Sequence, residues 1–564
     1  MPYHTSRRTF VKGFAAGSIL GGLGLLGRPV WALPGHSQPA ELSGTEFELY
    51  IGQTQVNFTG SEKTAMTVNG GIPGPLLRWR EGETVTLRVR NRLKESTSIH
   101  WHGILLPANM DGVPGLSFDG IAPDGMYEYR FKVRQNGTYW YHSHSGLQEQ
   151  AGVYGPLVIE AKNPEPFTYE RDYVVMLTDW TDEDPARLMS KLKKQSDYYN
   201  SHKRTLVDFI NDVSEKGWSA TASDRRMWAE MRMDPTDLAD VSGDTYTYLM
   251  NGRTPDMNWT GLFKPGERIR LRFINGSSMS YFDVRIPGLK MTVVASDGLY
   301  VKPVSVDELR IAVAETFDVI VEPQAGAYTV FAQSMDRTGF ARGTLTSAAG
   351  LSAPVPALDP RPLLSMADMG MHHMPASHDG MNHGAMPMNP AQSHPDSESG
   401  NPLVDMQAMS TSPRLDDPGI GLRDNGRRVL TYSDLRSTFD DPDGREPGRT
   451  LELHLTGHME KFAWSFNGVK FSDAEPLVLK YGERIRIVLV NDTMMTHPIH
   501  LHGMWSDLED EHGRFTVRKH TIDMPPGSRR SYRVTADALG RWAYHCHLLY
   551  HMETGMFREV RVEE

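Results

Sequence analysis

The sequence predicts an all-β protein of three β-sandwich domains, because one strand pattern occurs three times along the chain. Each copy follows an Asn-Gly pair and runs from a Gly-Glu turn to an asparagine eight residues after the glutamate. Apolar residues alternate within each copy, which is typical of a half-buried strand. A repeat of about 200 residues is too long for a solenoid unit and suits a β-sandwich domain. The three copies occupy residues 83–91, 267–275 and 483–491.

The first 32 residues predict an export signal rather than a part of the fold. Residues 6–12 read Ser-Arg-Arg-Thr-Phe-Val-Lys, a twin-arginine pattern, and Val30-Trp31-Ala32 offers a cleavage site of small residues. The apolar stretch between them, residues 14–26, is shorter than the roughly 18 residues that favour a membrane span. We therefore predict export by the twin-arginine translocase into a bacterial periplasm, with no membrane span.

The repeat and the changes in composition place the domain boundaries. We predict domain 1 over residues 45–165, domain 2 over 166–350, a Met/His-rich linker over 351–425 and domain 3 over 426–564. Charged sequence interrupts domain 2 at about 181–240, where Asp184-Pro185 is a typical helix start. Four apolar residues share one predicted helical face there: Leu206, Val207, Ile210 and Val213. We predict a small helical insertion that either covers a metal site or binds a partner chain.

The charge excludes two classes of partner. The formal net charge is −11 and the sequence pI is about 6.1, which argues against nucleic acid and anionic membrane as partners. The composition is unusual in its 30 methionines, 22 histidines and single cysteine. A single cysteine cannot form an intramolecular disulfide, so in an oxidising compartment it suits a metal-bound thiolate.

Histidines occur at matched positions in the first and third repeats. Nine and eleven residues after the last asparagine of the repeat, both copies carry a His-x-His pair, whereas the second copy carries Val284 and Ile286. Another His-x-His pair begins five residues after Gly137 and five after Gly540. Alternate residues of a strand lie on one face, so we predict that domains 1 and 3 pool eight histidines around a metal cluster. The four pairs are His100/His102, His142/His144, His500/His502 and His545/His547.

Cys546 lies inside the fourth of these pairs and predicts a second kind of metal site. His551 follows five residues later and Met556 ten residues later, and only the third repeat supplies a further histidine, His497. A thiolate, two imidazoles and a thioether are the ligands of a blue-copper site. In a strand, Cys546 would face one metal while its two neighbouring histidines face another. The alternative is a buried free thiol among core histidines.

The four histidine segments resemble the copper signatures of the multicopper oxidases, and the resemblance covers essentially the whole mature chain. It implies three cupredoxin-like, Greek-key domains and four coppers per chain: one type 1, one type 2 and two type 3. By position, it assigns His497, Cys546, His551 and Met556 to type 1 copper, His100 and His500 to type 2 copper, and His102, His142, His144, His502, His545 and His547 to the type 3 pair.

The resemblance also implies a reaction. A reductant loses single electrons at type 1 copper, and four electrons pass through Cys546 to reduce dioxygen to water. Asp111 resembles the acid that family members place beside the cluster, where a carboxylate can relay protons; the alternative is a turn-forming Asp before Gly. Bacterial metal-oxidising relatives often carry an acid where this chain has Met552, and Glu553 follows one position later.

Residues 366–409 contain nine methionines and five histidines among Pro, Asp, Asn and Ser. Thioethers select Cu(I), and nothing in such a polar stretch is expected to be buried, so we predict a site for substrate copper. The alternative is a flexible linker. The candidate ligands of substrate copper are Met369, Met371, His372, His373, Met374, Met386 and Met388.

Three functions compete. A cuprous oxidase needs soft ligands that capture Cu(I), a laccase-like phenol oxidase needs an open apolar cleft, and a copper-sequestering protein needs no oxygen-reducing cluster. Twin-arginine export together with a Met/His-rich segment resembles the CopA/PcoA group of periplasmic copper-resistance proteins. We therefore predict Cu(I) oxidation for copper resistance. The expected partners are dioxygen, Cu(I) and other periplasmic copper-resistance proteins.

Overall fold

The computed structural model describes residues 39–371 and 392–564. The predicted export signal lies outside the described residues. Within the described part, strands dominate and form six sheets, two for each of three consecutive stretches of chain. The predicted all-β class is therefore confirmed. In the same two ranges, no helix has both the length and the apolar character needed to cross a membrane.

The first unit pairs a five-stranded sheet with a four-stranded sheet. Its strands are β1 (Glu41–Ser43), β2 (Glu46–Val56), β3 (Lys63–Val68), β4 (Leu76–Arg80), β5 (Thr84–Asn91), β6 (His100–His102), β7 (Met126–Lys132), β8 (Gly137–His142) and β9 (Tyr154–Glu160). The strand order is β1-β4-β9-β8-β6 in one sheet and β3-β2-β5-β7 in the other. The histidine-bearing strands β6 and β8 are therefore neighbours at one sheet edge.

The second unit contains a six-stranded and a five-stranded sheet. Its strands are β10 (Arg171–Thr181), β11 (Tyr246–Met250), β12 (Trp259–Leu262), β13 (Ile269–Asn275), β14 (Phe282–Arg285), β15 (Met291–Ser296), β16 (Leu299–Val306), β17 (Glu308–Ile311), β18 (Thr316–Val321), β19 (Ala327–Ser334) and β20 (Phe340–Thr346). The orders are β11-β10-β13-β18-β15-β16 and β12-β20-β19-β14-β17.

Three helices lie between β10 and β11: α1 (Pro185–Leu192), α2 (Leu206–Lys216) and α3 (Trp218–Met231). The Asp184 side chain accepts a hydrogen bond from the Arg187 amide at 2.9 Å, so the predicted helix start at Asp184-Pro185 is confirmed. The predicted apolar face of α2 lies on the surface, because Leu206 and Val207 are 74% and 65% exposed. Packing against the β-sandwich therefore does not explain why these apolar residues share one helical face.

The third unit has the strand order of the second, strand for strand. Its elements are β21 (Arg449–His458), β22 (Ala463–Phe466), β23 (Leu477–Lys480), β24 (Arg484–Asn491), β25 (His497–Leu501), β26 (Ser506–Glu509), β27 (Phe515–Lys519), β28 (Thr521–Met524), β29 (Arg529–Thr535), β30 (Gly540–Cys546), α4 (Leu549–Glu553) and β31 (Phe557–Glu563). The orders are β22-β21-β24-β29-β26-β27 and β23-β31-β30-β25-β28.

The asparagine that ends each sequence repeat has the same structural role in all three units. Its side-chain amide donates to two backbone carbonyls, one of them four or five residues later, and its oxygen accepts an amide two residues later. These bonds fix the loop that leads into β6, β14 or β25. In the first and third units, the repeat therefore marks the loop that positions the first His-x-His pair.

The beginning of the Met/His-rich linker packs against the protein, contrary to one sequence-based expectation. Met369 is fully buried in the main core, and Met366 and Met371 pack against that core. The prediction that nothing in this stretch is buried is thus wrong for Met369. The physical reason is that Asp368 caps a turn through Ser365 and pairs with Arg423, which holds the segment against the protein.

We predict that Asn275→Ala lowers the free energy of unfolding by about 2 to 4 kcal/mol. Asn275 is fully buried, and its loss leaves the carbonyls of Ser280 and Ile311 and the amide of Ser277 without their partner. The measurement is thermal unfolding by calorimetry. The matched control is Asn163→Ala on an exposed loop, and equal unfolding temperatures for both variants would contradict the assigned role.

Candidate metal centres

Four short strands carry the eight matched histidines to one buried interface between the first and third units. β6 pairs with β8, and β25 pairs with β30, both antiparallel. Across the interface, the ring of His100 stacks on that of His502, and the ring of His102 stacks on that of His500, each with centroids 3.9 Å apart. The structure thus brings the histidines of residues 100–144 against those of residues 500–547.

The pair formed by His502 and His545 has a geometry that two neutral imidazoles cannot satisfy alone. Nδ1 of His502 donates to Oδ2 of Asp111 at 2.8 Å, and Nδ1 of His545 donates to the carbonyl of Cys546 at 2.9 Å. A neutral imidazole has one N–H, so both Nε2 atoms carry lone pairs. These Nε2 atoms lie 3.1 Å apart. A cation between them would satisfy both nitrogens.

A second pair, His142 and His547, also brings two imidazole nitrogens together. Nδ1 of His142 lies 2.6 Å from Oε2 of Glu149 and 3.2 Å from the carbonyl of Ser143. Its Nε2 therefore carries the lone pair and lies 3.3 Å from Nε2 of His547, whose Nδ1 is buried without a hydrogen-bond partner. Glu149 is only 2% exposed and orients the ring of His142 from behind. This too is the environment of a metal ligand.

The remaining histidines offer buried nitrogens without partners. Among the described residues, Nε2 of His100, of His144 and of His500 and Nδ1 of His102 are buried and accept no hydrogen bond. Metal coordination explains such atoms where hydrogen bonding does not. The nitrogens fall into three groups with all ligand atoms within 4.8 Å of one another: His100/His102/His500, His102/His142/His547 and His144/His502/His545. The residues therefore fit a three-metal cluster.

Burial keeps these imidazoles neutral. It lowers the pKa of seven cluster histidines, and for His545 the pKa falls to about 4. A neutral imidazole retains the lone pair that a metal needs. The other histidines whose pKa burial lowers are His102, His142, His144, His500, His502 and His547.

Cys546 stands at a separate centre with two histidines. Its Sγ lies 3.5 Å from Nδ1 of His497 and 3.9 Å from Nδ1 of His551, and the two nitrogens are 3.1 Å apart. All three side chains are fully buried. Met556 is also fully buried, and its carbonyl accepts the Cys546 amide at 3.1 Å. Burial raises the pKa of the Cys546 thiol, so the thiolate requires a cation beside it.

Outer contacts fix the two imidazoles of this centre. The Thr493 hydroxyl lies 2.7 Å from Nε2 of His497, and Nε2 of His551 donates to Oδ2 of Asp240 at 2.7 Å. The ring of Trp464 stacks on that of His551, with centroids 3.9 Å apart. These contacts leave Nδ1 of both histidines directed at Cys546. Ligating histidines characteristically have such partners on the other ring nitrogen.

Asp111 joins the two halves of the cluster. Besides its bond to His502, its carbonyl accepts Nδ1 of His100 at 2.9 Å, and its Oδ1 lies 3.3 Å from the same nitrogen. The side chain is 3% exposed. Asp111 therefore positions one histidine from each unit. The predicted proton relay stays a prediction.

Sequence reasoning missed Asp240 and Glu149. Asp240 follows the helical insertion and has no motif around it, so no local signal leads to it. Glu149 lies five residues after His144, and the presence of an acidic residue so close to a candidate ligand is the only signal in the sequence. Glu553, considered as a replacement for an acid at position 552, has an exposed side chain. Besides Asp111, the structure places the acid Glu149 against the cluster.

Two cavities approach the Cys546 centre. A cavity of about 80 Å³ is lined by Met335, Met494 and Thr496, the residue before His497, together with Asp368. A cavity of about 500 Å³ reaches Asp240. Of the predicted ligands of substrate copper, Met369 lies in the core and Met371 at its edge. The other five, His372, His373, Met374, Met386 and Met388, lie outside the described residues.

Comparison with known families agrees with this geometry. Three family models, each described as multicopper oxidase, match residues 50–164, 171–351 and 445–564. The chain is 79% identical to a copper resistance protein A homolog of Pseudomonas syringae pv. tomato, with all of both chains covered. It is 68% identical to copper resistance protein A of Escherichia coli, with 99% of both chains covered.

Solved structures share the fold at low identity. Fet3p, a multicopper oxidase that functions in iron import, superposes with a TM-score of 0.65 at 18% identity, over 93% of this chain and 91% of that chain. A laccase from Botrytis aclada gives a TM-score of 0.61 at 21% identity, over 93% and 88% of the two chains. The likeness supports three cupredoxin-like domains.

We predict that Asp111→Asn lowers the affinity of the cluster for copper about 10- to 100-fold, because His502 loses its anionic partner. The measurement is copper per chain after dialysis against a graded chelator series, with the blue absorption recorded alongside. The blue absorption of the Cys546 centre should persist. Asp119→Asn, on an exposed neighbouring loop, is the control. Equal copper retention in both variants would show that Asp111 does not position the ligands.

We predict that Asp240→Asn changes the Cys546 centre and leaves the cluster intact. Asparagine weakens the hydrogen bond that Nε2 of His551 donates, which makes this imidazole a weaker ligand of the oxidised metal, so the reduction potential of the blue centre should rise and turnover should fall by about tenfold. A redox titration followed by the blue absorption measures this. Glu215→Gln, which changes an exposed carboxylate on the same cavity wall, should leave the potential unchanged. An identical shift in both variants would contradict a specific role for Asp240.

Proposed function

The chain belongs to the multicopper oxidase family, and from this premise we propose that it oxidises Cu(I) to Cu(II) in copper resistance while reducing dioxygen to water. Family membership makes the protein an oxidoreductase. Each dioxygen takes four electrons and four protons to become two waters, so four Cu(I) ions are oxidised per turnover. Full-length identity of 68% to 79% to copper resistance proteins A supports the biological role.

The residues that would hold the four resident coppers follow from the geometry. The Cys546 centre would hold type 1 copper, with Met556 as its thioether ligand. His100 and His500 would hold type 2 copper. The two remaining groups would hold the type 3 pair: His102/His142/His547 and His144/His502/His545. When bound, these coppers supply one-electron oxidation at the thiolate centre and oxygen reduction at the cluster.

The chain itself connects the two centres. Cys546 is the last residue of β30. His545 precedes it in the strand and His547 follows it, and both imidazole rings lie among the cluster histidines. Electrons that leave the Cys546 centre therefore have a covalent route to the cluster through the neighbouring residue on either side of Cys546. Asp111 and Glu149 hold the Nδ1 protons of His502 and His142, which fixes the tautomers that leave Nε2 free.

The observation that favours Cu(I) is the small cavity beside Thr496. Its volume of about 80 Å³ is far below the roughly 300 Å³ at which pockets for organic ligands begin. Met335 and Met494 line it, and thioethers are soft ligands that prefer Cu(I). Asp368 also lines it but pairs with Arg423, and four arginines face four acidic residues around the cavity, so the thioethers are what favour Cu(I). We propose that Cu(I) binds here before it gives up its electron.

The larger cavity favours a second candidate function, oxidation of a bulkier reductant. Its volume of about 500 Å³ suits an organic molecule, and it ends at Asp240, the partner of His551. Six carboxylate residues and three Lys or Arg residues line it, so it is not the apolar cleft expected of a phenol oxidase. A cationic organic reductant fits this wall better than a neutral phenol.

The site of action is proposed to be the bacterial periplasm, reached by twin-arginine export of the folded chain. Two features support this: the Ser-Arg-Arg-Thr-Phe-Val-Lys pattern at residues 6–12 and the bacterial copper resistance relatives. Cu(I) oxidation there would yield the less membrane-permeant Cu(II). We propose that His372, His373, Met374, Met386 and Met388 deliver substrate copper to the cavity.

We predict that the double variant Met335→Leu/Met494→Leu raises the KM for Cu(I) at least about tenfold, because it removes soft ligands at nearly constant volume. Oxygen uptake measures the rate with Cu(I), and a bulky phenol serves as the second reductant. The phenolic rate should change by less than about twofold. Met250→Leu, a buried methionine in the second unit, is the matched control.

Two outcomes would count against this assignment. Unchanged kinetics with Cu(I) would exclude the small cavity as the entry site, and an equal loss for both reductants would indicate damage to the type 1 centre. A separate variant, Met374→Leu/Met386→Leu/Met388→Leu, tests the linker. It should lower the cuprous rate at low Cu(I) alone, and no change at any Cu(I) concentration would leave the linker as a tether.

A further inference from the structure

A fourth group of metal-ligand side chains lies apart from the two copper centres, and we call it the linker-exit cluster. It contains His394 and Glu398 from the segment that follows residue 391, His454 on β21, and Asp492 directly after β24. Their four ligand atoms lie within 4.8 Å of one another. Glu398, His454 and Asp492 are at most 3% exposed.

His394 directs a lone pair into this cluster. Its Nε2 donates to the carbonyl of Ala408 at 3.0 Å, so a neutral ring carries its lone pair on Nδ1. That Nδ1 lies 3.3 Å from Oδ2 of Asp492 and 3.3 Å from Oε2 of Glu398, in hydrogen-bonding geometry with neither. Oε2 of Glu398 accepts from Nε2 of Gln407 at 2.9 Å and Oδ2 of Asp492 lies 2.6 Å from Nδ1 of His454, so neither oxygen offers a proton to the lone pair of His394. A bound cation, or a proton on Nδ1 of His394, would supply the missing positive charge.

On the opposite side of the cluster, His454 faces a carboxylate on each ring nitrogen. Nδ1 of His454 lies 2.6 Å from Oδ2 of Asp492, while its Nε2 lies 3.2 Å from Oε1 of Glu452. Oε1 of Glu398 is buried without a hydrogen-bond partner, 3.7 Å from Nδ1 of His454. An unpaired carboxylate oxygen on a side chain that is 97% buried is costly. Asp492 raises the pKa of His394, and the pKa of His454 is also raised despite its burial, so a bound ion would displace protons from the cluster.

The spacing suits a metal ion. Ligands at about 2.0 to 2.2 Å in tetrahedral geometry are separated by about 3.3 Å, and the contacts across this cluster run from 2.6 to 3.7 Å. Each histidine has an acceptor on its outer nitrogen, Ala408 for His394 and Glu452 for His454. Such partners orient ligating histidines. Two carboxylates would balance the charge of a divalent ion.

We propose that His394, Glu398, His454 and Asp492 form a fifth metal site, which binds one divalent transition-metal ion through two imidazole nitrogens and two carboxylate oxygens. Cu(II) and Zn(II) share this ligand preference, whereas Cu(I) prefers sulfur. Oδ1 of Asp492 accepts the Ala408 amide at 2.8 Å, so the ion would tie the end of the Met/His-rich linker to the third unit. The site is independent of the proposed oxidase reaction.

The test measures bound metal rather than activity. The copper-loaded full-length protein is dialysed against Zn(II) or Cu(II), and the ions per chain are counted by mass spectrometry. We expect Glu398→Gln and His394→Gln each to hold one divalent ion fewer than the wild type. Both should retain the blue absorption and the four resident coppers, which shows that they are folded. Comparing the two metals identifies the occupant, and Cu(II) is expected to bind more tightly.

Two control variants separate this site from others. His512→Gln and His202→Gln each change an exposed histidine outside the proposed copper sites; both should keep the ion that the cluster variants lose. Paramagnetic resonance of Cu(II) at the site should show coupling to two imidazole nitrogens, and to one fewer in His394→Gln. If wild type and the cluster variants bind equal numbers of ions, the cluster is an ion-pair network and the proposal is wrong.

Discussion

The structure depends on buried, neutral histidines whose lone pairs meet no hydrogen-bond donor. His502 and His545 each give their only proton to an outer acceptor, so their Nε2 atoms meet 3.1 Å apart with nothing to share. His142 and His547 bring their Nε2 atoms to 3.3 Å across the interface between the first and third units. Each of the three ligand groups combines histidines of both units, so a bound metal would join the first unit to the third. Metal binding therefore strengthens the assembly of these two units.

The second unit carries no cluster histidine, yet it holds the other two units in place. Thr138 of the first unit donates to Asp318 of the second at 2.7 Å. Lys519 of the third unit is fully buried and lies 3.1 Å from both Asp297 and Glu315 of the second. A buried cation with two carboxylate partners fixes geometry strongly, because breaking such a pair is costly. The metal-free unit thus acts as the frame for the cluster.

The repeat made most of the fold and the ligand set predictable. Each unit ends the repeat with the same asparagine hydrogen bonds, so equal offsets from that residue lead to equal places in the fold. That is why His497 and the four His-x-His pairs could be found by counting. Asp240 and Glu149 could not, because their role arises from contacts across long stretches of chain. Met369 was misjudged because composition does not reveal that Asp368 and Arg423 hold its segment against the core.

An oxidase whose substrate and cofactor are the same element must keep the two populations of copper apart. Fully buried ligands with fixed tautomers suit resident ions, because release would leave opposed lone pairs unshielded. The cavity lined by Met335 and Met494 offers soft thioethers, so an ion there can leave once it is oxidised and prefers harder ligands. The linker-exit cluster offers nitrogen and oxygen ligands of that kind. Ligand hardness therefore provides a physical basis for separating substrate, product and resident copper within one chain.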